Sequence, residues 1–287
     1  MKRISIFILS GICCLHGSAQ SDSTSPASTD SVINKSTLTV GLTYCNNADY
    51  YGQAAEQAIP YLATAATYRL RCGIYFSALA YKLLKDSNQI VSAGNLGIGY
   101  GFKLSKRFSA DISYNHTFYP SYSPLLQAAN PDNASASLTY DNFLSSKITF
   151  DYAFGNAVDQ FVSLGTGKEI NLFHITAKDI ISITPTIDVT AGTQHFYQTY
   201  LIEKRLEDSL LGLLLPPLGG TPPAQGSTTQ TTTQFNLLSY NFKCPLAYNR
   251  ANYVIEINYQ LSVLSNAAQS GAGKVNSFLS ASFYYQF

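Results

Sequence analysis

The sequence of 287 residues is poor in charge. Only 12% of its residues are Asp, Glu, Lys or Arg, whereas 13% are aromatic, and the formal net charge is +1. Soluble domains usually carry charge on about a quarter of their residues. The near-neutral balance excludes a nucleic-acid partner, which would require a concentrated basic stripe. The scarcity of charge also disfavours an ordinary soluble enzyme.

The sequence also lacks a long apolar run beyond its N-terminus. Lys2 and Arg3 precede an apolar segment, Ile4–Leu15, and small residues follow it, which predicts a signal peptide at residues 1–19. The segment is too short for a membrane anchor helix. Residues 20–35 are mostly Ser, Thr, Asp and Pro, which predicts a flexible periplasmic tail. Since no later run reaches the length of a spanning helix, residues 36–287 could cross a membrane only as a barrel.

Cysteine is scarce and its pattern is uninformative. Cys13 and Cys14, in the predicted signal peptide, raise a lipoprotein alternative, but Ile12 and Cys13 stand where a small residue should precede a lipidated cysteine. Cys45, Cys72 and Cys244 are odd in number and fit neither a disulfide framework nor a zinc site. We interpret them as small apolar strand residues, and expect neither a metal nor a cofactor.

Alternation of apolar and polar residues is the dominant pattern. From Val275 to Phe287 every second residue is apolar or small, and the residues between are mostly polar, with Phe278 as the large exception. The same alternation predicts eleven further strands. Together with the last one, the predicted strands are 36–45, two within 60–84, two within 90–119, 135–143, 147–154, 160–174, 180–195, 231–244, 253–263 and 275–287. A turn is predicted at Pro245–Asn249, and Pro185 predicts a bulge or an unpaired amide within its strand.

The even strand number and the connection lengths together indicate the fold class. Short turns alternate with longer connections along the predicted strands, as in bacterial outer-membrane proteins. We therefore predict an all-β, antiparallel transmembrane β-barrel of about 12 strands, with short periplasmic turns and longer extracellular loops. The rival is a soluble β-sandwich or jelly roll, which would not need so many long strands with Tyr and Phe near their ends.

Three motifs carry a resemblance to a known group of proteins. They are Asp49-Tyr50-Tyr51-Gly52 after the first strand, Ile183–Val189 running into Gly192-Thr193-Gln194-His195, and the terminal Phe283-x-Tyr285-x-Phe287. In these the chain resembles the uncharacterised outer-membrane β-barrel proteins of Bacteroidetes. The resemblance implies a barrel in the outer membrane of a Gram-negative bacterium. The terminal motif also resembles the signal read by the barrel-assembly machinery, with Phe287 as the key contact.

Charged residues on the polar faces of the strands are candidates for the barrel interior. They are the acidic Asp111, Asp151, Asp188 and Glu256, at broadly similar depth, and the basic Arg69, Arg71 and Lys103. One interpretation is a charged constriction that selects solutes. The other is a set of ion pairs and hydrogen bonds that fills a narrow barrel.

The connection 198–230 contains a leucine-rich segment. Its spacing predicts a short amphipathic helix that ends at Pro216-Pro217, with an external patch formed by Leu206, Leu210, Leu213 and Leu214. This patch could act as a lid, a plug or a partner-binding surface. The alternative is a loop that packs on itself.

Catalytic patterns are weak. We find no Gly-x-Ser-x-Gly elbow and no His-x-x-x-His pair, and the histidines beyond residue 19 are His116, His174 and His195. We expect no catalytic residue and a porin-like barrel that passes or binds small solutes without chemistry. The alternatives are a structural or surface-binding barrel acting through its loops, and an outer-membrane hydrolase. The expected partners are outer-membrane lipid and the barrel-assembly machinery, and the oligomeric state is left open.

Overall fold

The structure is a computed structural model that describes residues 35–54, 58–85, 90–118, 130–155, 158–195, 231–265 and 275–287. The predicted signal peptide, nearly all of the predicted tail and the leucine-rich segment lie outside these ranges. No helix among the described residues is long and apolar enough to cross a membrane.

The described secondary structure consists of strands. The first eight are β1 (Thr37–Cys45), β2 (Asp49–Tyr50), β3 (Gln53–Ala54), β4 (Tyr61–Arg69), β5 (Ile74–Leu83), β6 (Ala93–Lys103), β7 (Phe108–Phe118) and β8 (Asp132–Asp141). They are followed by β9 (Ser145–Phe154), β10 (Val158–Gly167), β11 (Ile170–Phe173), β12 (Asp179–Ile183), β13 (Thr186–His195), β14 (Thr231–Arg250), β15 (Tyr253–Leu264) and β16 (Val275–Gln286).

Twelve of these strands close into an antiparallel barrel. The neighbours run β1-β4-β5-β6-β7-β8-β9-β10-β13-β14-β15-β16, and β16 pairs with β1. The seam is in register from Cys45 opposite Ser280 to Thr39 opposite Gln286, and the amide of Phe287 donates to the carbonyl of Leu38 at 2.8 Å. The predicted fold class is confirmed, and the last strand is the one that closes the barrel.

The barrel wall separates an apolar outer face from a polar inner face. On β1, Leu42 is 48% exposed and its neighbour Thr43 is 3% exposed. On β16, Phe283 faces outward with Tyr285, whereas the predicted exception Phe278 is fully buried inside. An outer surface this apolar needs a hydrocarbon solvent, so the wall is that of a transmembrane barrel.

Two prolines mark an interruption of the wall. The strand segments β12 and β13 both pair with β14, and the break between them contains Pro185, as expected from its missing amide hydrogen. Pro245 lies beside this break, and its carbonyl accepts a hydrogen bond from the amide of Thr184 at 3.0 Å. Because the amide and carbonyl of one strand residue point to the same neighbour, Pro245 turns its missing donor towards the break. The predicted turn at Pro245–Asn249 is therefore wrong, and β14 continues to Arg250.

The two ends of the barrel differ in their connections. The short-turn end carries the connections 70–73, 104–107, 142–144, 174–178 and 251–252. The long-loop end carries 46–60, 84–92, 119–131, 196–230 and 265–274, together with the short 155–157. Short turns therefore alternate with longer loops as predicted, with that one exception. The turn 104–107 between β6 and β7 has four residues.

Candidate functional site in the barrel interior

The chain that follows β1 folds into the barrel instead of staying above it. β2 and β3 pair as a small hairpin, here called the luminal hairpin (residues 49–54). Asp49 within it is only 5% exposed. The hydroxyl of Ser239 donates to the carbonyl of Tyr51 at 2.6 Å, and the Asn276 side chain donates to the carbonyl of Gly52 at 2.9 Å. The hairpin is thus bonded to the inner faces of β14 and β16.

A tight turn makes this insertion possible. Tyr51 and Gly52 both have positive φ angles, of 50° and 91°. Asp49 supports the turn, because its Oδ1 accepts a hydrogen bond from the amide of Gly52 at 2.6 Å. A Cβ atom at Gly52 would lie 2.8 Å from the Cβ of Ser239, so only glycine allows the hairpin to approach β14 this closely.

Side chains anchor the hairpin to three further strands. The ring of Tyr51 stacks on that of Phe161 in β10, with centroids 4.0 Å apart. The Tyr51 hydroxyl donates to Asp151 in β9 at 3.3 Å, and Gln260 in β15 donates to Asp49 at 2.6 Å. The hairpin therefore spans the interior between β9 and β16.

The opposite side of the interior is packed with apolar side chains and is here called the apolar half. Its members are Cys45, Ala48, Tyr61, Ala63, Ala65, Leu79, Tyr81, Leu83, Ala93 and Tyr284, all at most 5% exposed. Tyr61 and Tyr81 meet edge to face, with ring centroids 6.0 Å apart. On β5, Leu79 points inward with Tyr75 and Tyr81.

A polar cavity of about 430 Å³ occupies the interior on the hairpin's side and is here called the polar half. It extends from the hairpin to the exposed rim residues Asp141 and Glu169 at the short-turn end. Its lining is rich in hydroxyl and amide groups, and includes Thr149, Ser163, Ser182, Thr184, Thr186, Thr190, Asn241 and Asn249. The cavity is suited to a polar, hydrated solute, since most of its lining residues carry a hydroxyl, amide or charged group.

A buried ion pair lies in the wall of this cavity. The Lys243 ammonium is 2.5 Å from Asp188, and the two side chains are 9% and 11% exposed. Asn241 donates from Nδ2 to the other oxygen of the Asp188 carboxylate at 2.6 Å. Desolvated charges are retained at such positions only when they are paired and hydrogen-bonded, as these are.

The predicted interior acids form separate groups. Asp188 and Glu256 line the cavity. Asp151, which is 1% exposed, accepts from the Ser135 hydroxyl at 2.7 Å as well as from the hairpin. Asp111 lies on β7 and accepts from the Tyr75 hydroxyl at 2.8 Å.

The predicted basic residues are placed differently from one another. Arg69 is 9% exposed, and its guanidinium lies 4.4 Å from the centroid of the Tyr75 ring. Arg71 lies exposed in the turn after β4, and Lys103 lies exposed at the end of β6. The expectation that Arg71 faces the interior is corrected, because the alternation of β4 ends at Arg69. Lys103 stays in phase with the inward Asn95 and Gly99, but at the exposed end of its strand.

The histidines do not gather into one site among the described side chains. His116 lies on the outer face, where its Nδ1 is 2.7 Å from Asp132, and the Tyr114 hydroxyl donates to the same carboxylate at 2.5 Å. His174 lies in the turn at the short-turn end, bonded through Nδ1 to the carbonyl of Asp179. The side chain of His195 and the leucine patch 206–214 lie outside the described part of the chain.

Sequence reasoning missed two features of the interior. Strand alternation does not reveal the luminal hairpin, although its Asp49-Tyr50-Tyr51-Gly52 motif contains the carboxylate and glycine of a tight turn. Lys243 was also missed, although it alternates in phase with Ser239 and Asn241 on the polar face of β14. Strand period alone could have identified Lys243.

Comparison with known proteins gives fold neighbours only. No protein-family model and no curated protein matches the sequence. Among solved structures, it is similar to the KdgM porin, with 8% identity, coverage of 87% of this chain and 99% of that chain, and a TM-score of 0.46. The NanC porin has 11% identity, coverage of 86% and 98%, and a TM-score of 0.44. An outer membrane channel from Pseudomonas putida F1 has 11% identity, coverage of 91% and 100%, and a TM-score of 0.44.

Proposed function

We propose that this porin-like barrel passes small polar solutes across the outer membrane, through an interior narrowed by the luminal hairpin. The observation that carries the proposal is the polar cavity of about 430 Å³ that leads from the short-turn rim to the hairpin. Its size matches a small molecule and its lining offers hydrogen bonds in place of bulk water.

The contacts of the hairpin suit a constriction. The bonds from Ser239 and Asn276 to carbonyls of the hairpin join neutral groups, and each contributes about 0.5–1.5 kcal/mol. The bond from Gln260 to the Asp49 carboxylate contributes about 1.5–3 kcal/mol. A solute can thus displace the hairpin locally while the closed wall stays intact.

Single-channel recording in planar lipid bilayers tests the proposal. The variant replaces residues 49–54 by a Gly-Ser linker of equal length, which removes the constriction without shortening the chain. We expect the conductance to rise several-fold over that of the unaltered protein. As a matched control, the exposed turn residues Ser105 and Lys106 are replaced by Gly-Ser, which should leave conductance unchanged. Equal conductance of all three proteins, or no conductance from any, would overturn the proposal.

We further propose the route by which the barrel reaches the membrane. Residues 1–19 direct export, the short-turn end faces the periplasm, and the barrel-assembly machinery binds the last strand through Phe283, Tyr285 and Phe287. The outward position of these three rings leaves them accessible before the barrel closes. Substitution of Phe287 by Ala should lower the yield of heat-modifiable barrel in outer membranes without altering the conductance of the assembled fraction. An unchanged yield would remove this role.

A further inference from the structure

We propose that the polar half of the interior is a transit site for solutes that carry an amino group, and that it excludes anions. This inference rests on the proposed passage of solutes and specifies their chemical class. It draws on two separate observations, the charge of the cavity lining and an unused acceptor buried within that lining.

The first observation is the charge balance of the lining. Five carboxylates and two lysines line the cavity, which leaves a formal charge of −3. One of the lysines, Lys243, is already neutralised by Asp188 at 2.5 Å. Glu256 is 3% exposed, so its carboxylate acts through low-dielectric surroundings. A cation entering the cavity is therefore attracted, and an anion is repelled.

The second observation is the orientation of Asn241. This side chain is 4% exposed and donates from Nδ2 to Asp188 and to Ser239. Its Oδ1 accepts no hydrogen bond from the described residues. A buried acceptor with unused capacity favours a ligand that brings an N–H or O–H donor.

The arrangement of these groups favours an amine over a metal ion. A divalent cation requires several converging oxygen ligands at about 2–2.6 Å, and no group of three or more ligand-type side chains able to hold one occurs among the described residues. An ammonium group instead needs only dispersed acceptors, because it presents three donors on a flexible stem. An elongated polyamine fits a cavity of about 430 Å³.

The experiment measures charge selectivity and block in planar bilayers, with spermidine as the probe. The unaltered protein should pass K⁺ in preference to Cl⁻ under a KCl gradient, and spermidine added at the short-turn side should block the current. Glu256→Gln removes one buried carboxylate with little change of shape, and should weaken the block about three- to tenfold. Glu169→Gln, at the exposed rim, should weaken it by less than about threefold because salt screens its charge.

The matched control is Asp132→Asn, which removes a carboxylate from the outer face and should change neither quantity. A preference for Cl⁻, or a block that is equal in the unaltered protein and in both cavity variants, would overturn the inference. Heat-modifiable migration on gels confirms that each variant is folded. If Glu256→Gln does not fold, the unaltered protein decides, because a preference for Cl⁻ or the absence of a spermidine block would overturn the inference.

A separate binding measurement distinguishes failure of the inference from failure of the proposed function. If the unaltered protein forms no channel, solute passage is wrong, and titration calorimetry of the detergent-solubilised barrel with spermidine then tests the site by itself. Binding that weakens in the cavity variants would support the amine site. Absence of binding to the unaltered protein would overturn it.

Discussion

The apolar half and the polar half of the barrel share one wall but differ in how their side chains fill the interior. Around β4 and β5, Tyr61, Leu79 and Tyr81 pack against small residues of the neighbouring strands and fill the space. Around β13 to β15, Thr190, Asn241 and their neighbours leave a cavity. The luminal hairpin bounds this cavity on the side away from the short-turn rim. One half is a packed core, whereas the other keeps polar groups at the surface of a solute path.

The difference suggests how a narrow barrel can be both stable and open to solutes. Close packing gains dispersion and burial energy wherever side chains interdigitate, whereas a lined cavity forgoes that gain. Confining the packed core to one half lets the other half remain polar. The comparison predicts that substitutions in the apolar half change stability, and that those in the polar half change permeation unless they break a buried charge pair.

The largest effect is expected from a substitution in the polar half that breaks the buried charge pair and therefore changes stability. Lys243→Met removes one partner of the buried pair and leaves the Asp188 carboxylate without its counter-charge. We expect the free energy of unfolding to fall by about 3–5 kcal/mol. Urea unfolding from lipid vesicles, followed by circular dichroism, measures it. The double variant with Asp188→Asn should recover most of the loss, and additive losses would contradict the pair's coupling.

The next effect tests the packed core. Leu79 is 5% exposed inside the barrel, and Leu79→Ala should lower the free energy of unfolding by about 2–5 kcal/mol through the cavity it leaves. Ion selectivity should not change. The control Leu96→Ala acts on a neighbouring strand, where the side chain is 54% exposed on the outer face, and should cost less. Equal losses would show that the apolar half is not a specific core.

A smaller effect is expected where glycine provides space for an aromatic ring. A Cβ atom at Gly99 would lie 2.2 Å from the Tyr75 ring, so Gly99→Ala must displace the ring and weaken its bond to Asp111. The expected loss is about 1–3 kcal/mol. Gly94→Ala on the same strand is the control, because its nearest contact would be 3.8 Å away. A comparable loss for both variants would point to strand propensity as the cause.

The wall of the barrel could be predicted from sequence, but the filling of its interior could not. Alternation reports which residues face lipid, because that face must be apolar along the whole strand, as at Leu38, Val40 and Leu42 on β1. The interior has no such uniform requirement. Contacts such as Asn276 to Gly52 join residues 224 apart, so they depend on closure of the whole barrel. The position of Pro245 within β14 is likewise explained only by the break in the neighbouring strand.

The smallest effect is expected at the short-turn end of the barrel, in the turn 174–178. Hydrogen bonds from the side chain and amide of Thr176, and from the amide of Ile175, lower the pKa of Asp179 to about 2. Because the unfolded pKa is about 3.9, the order that this carboxylate gives the turn is present above about pH 4 and is lost as pH falls through about 2. The amide chemical shift of Thr176, followed by NMR during an acid titration, should move in this window, and Asp179→Asn should abolish the movement. Conductance and selectivity should stay unchanged in that variant, because Asp179 does not line the cavity. A change in selectivity would instead show that the polar half depends on its rim.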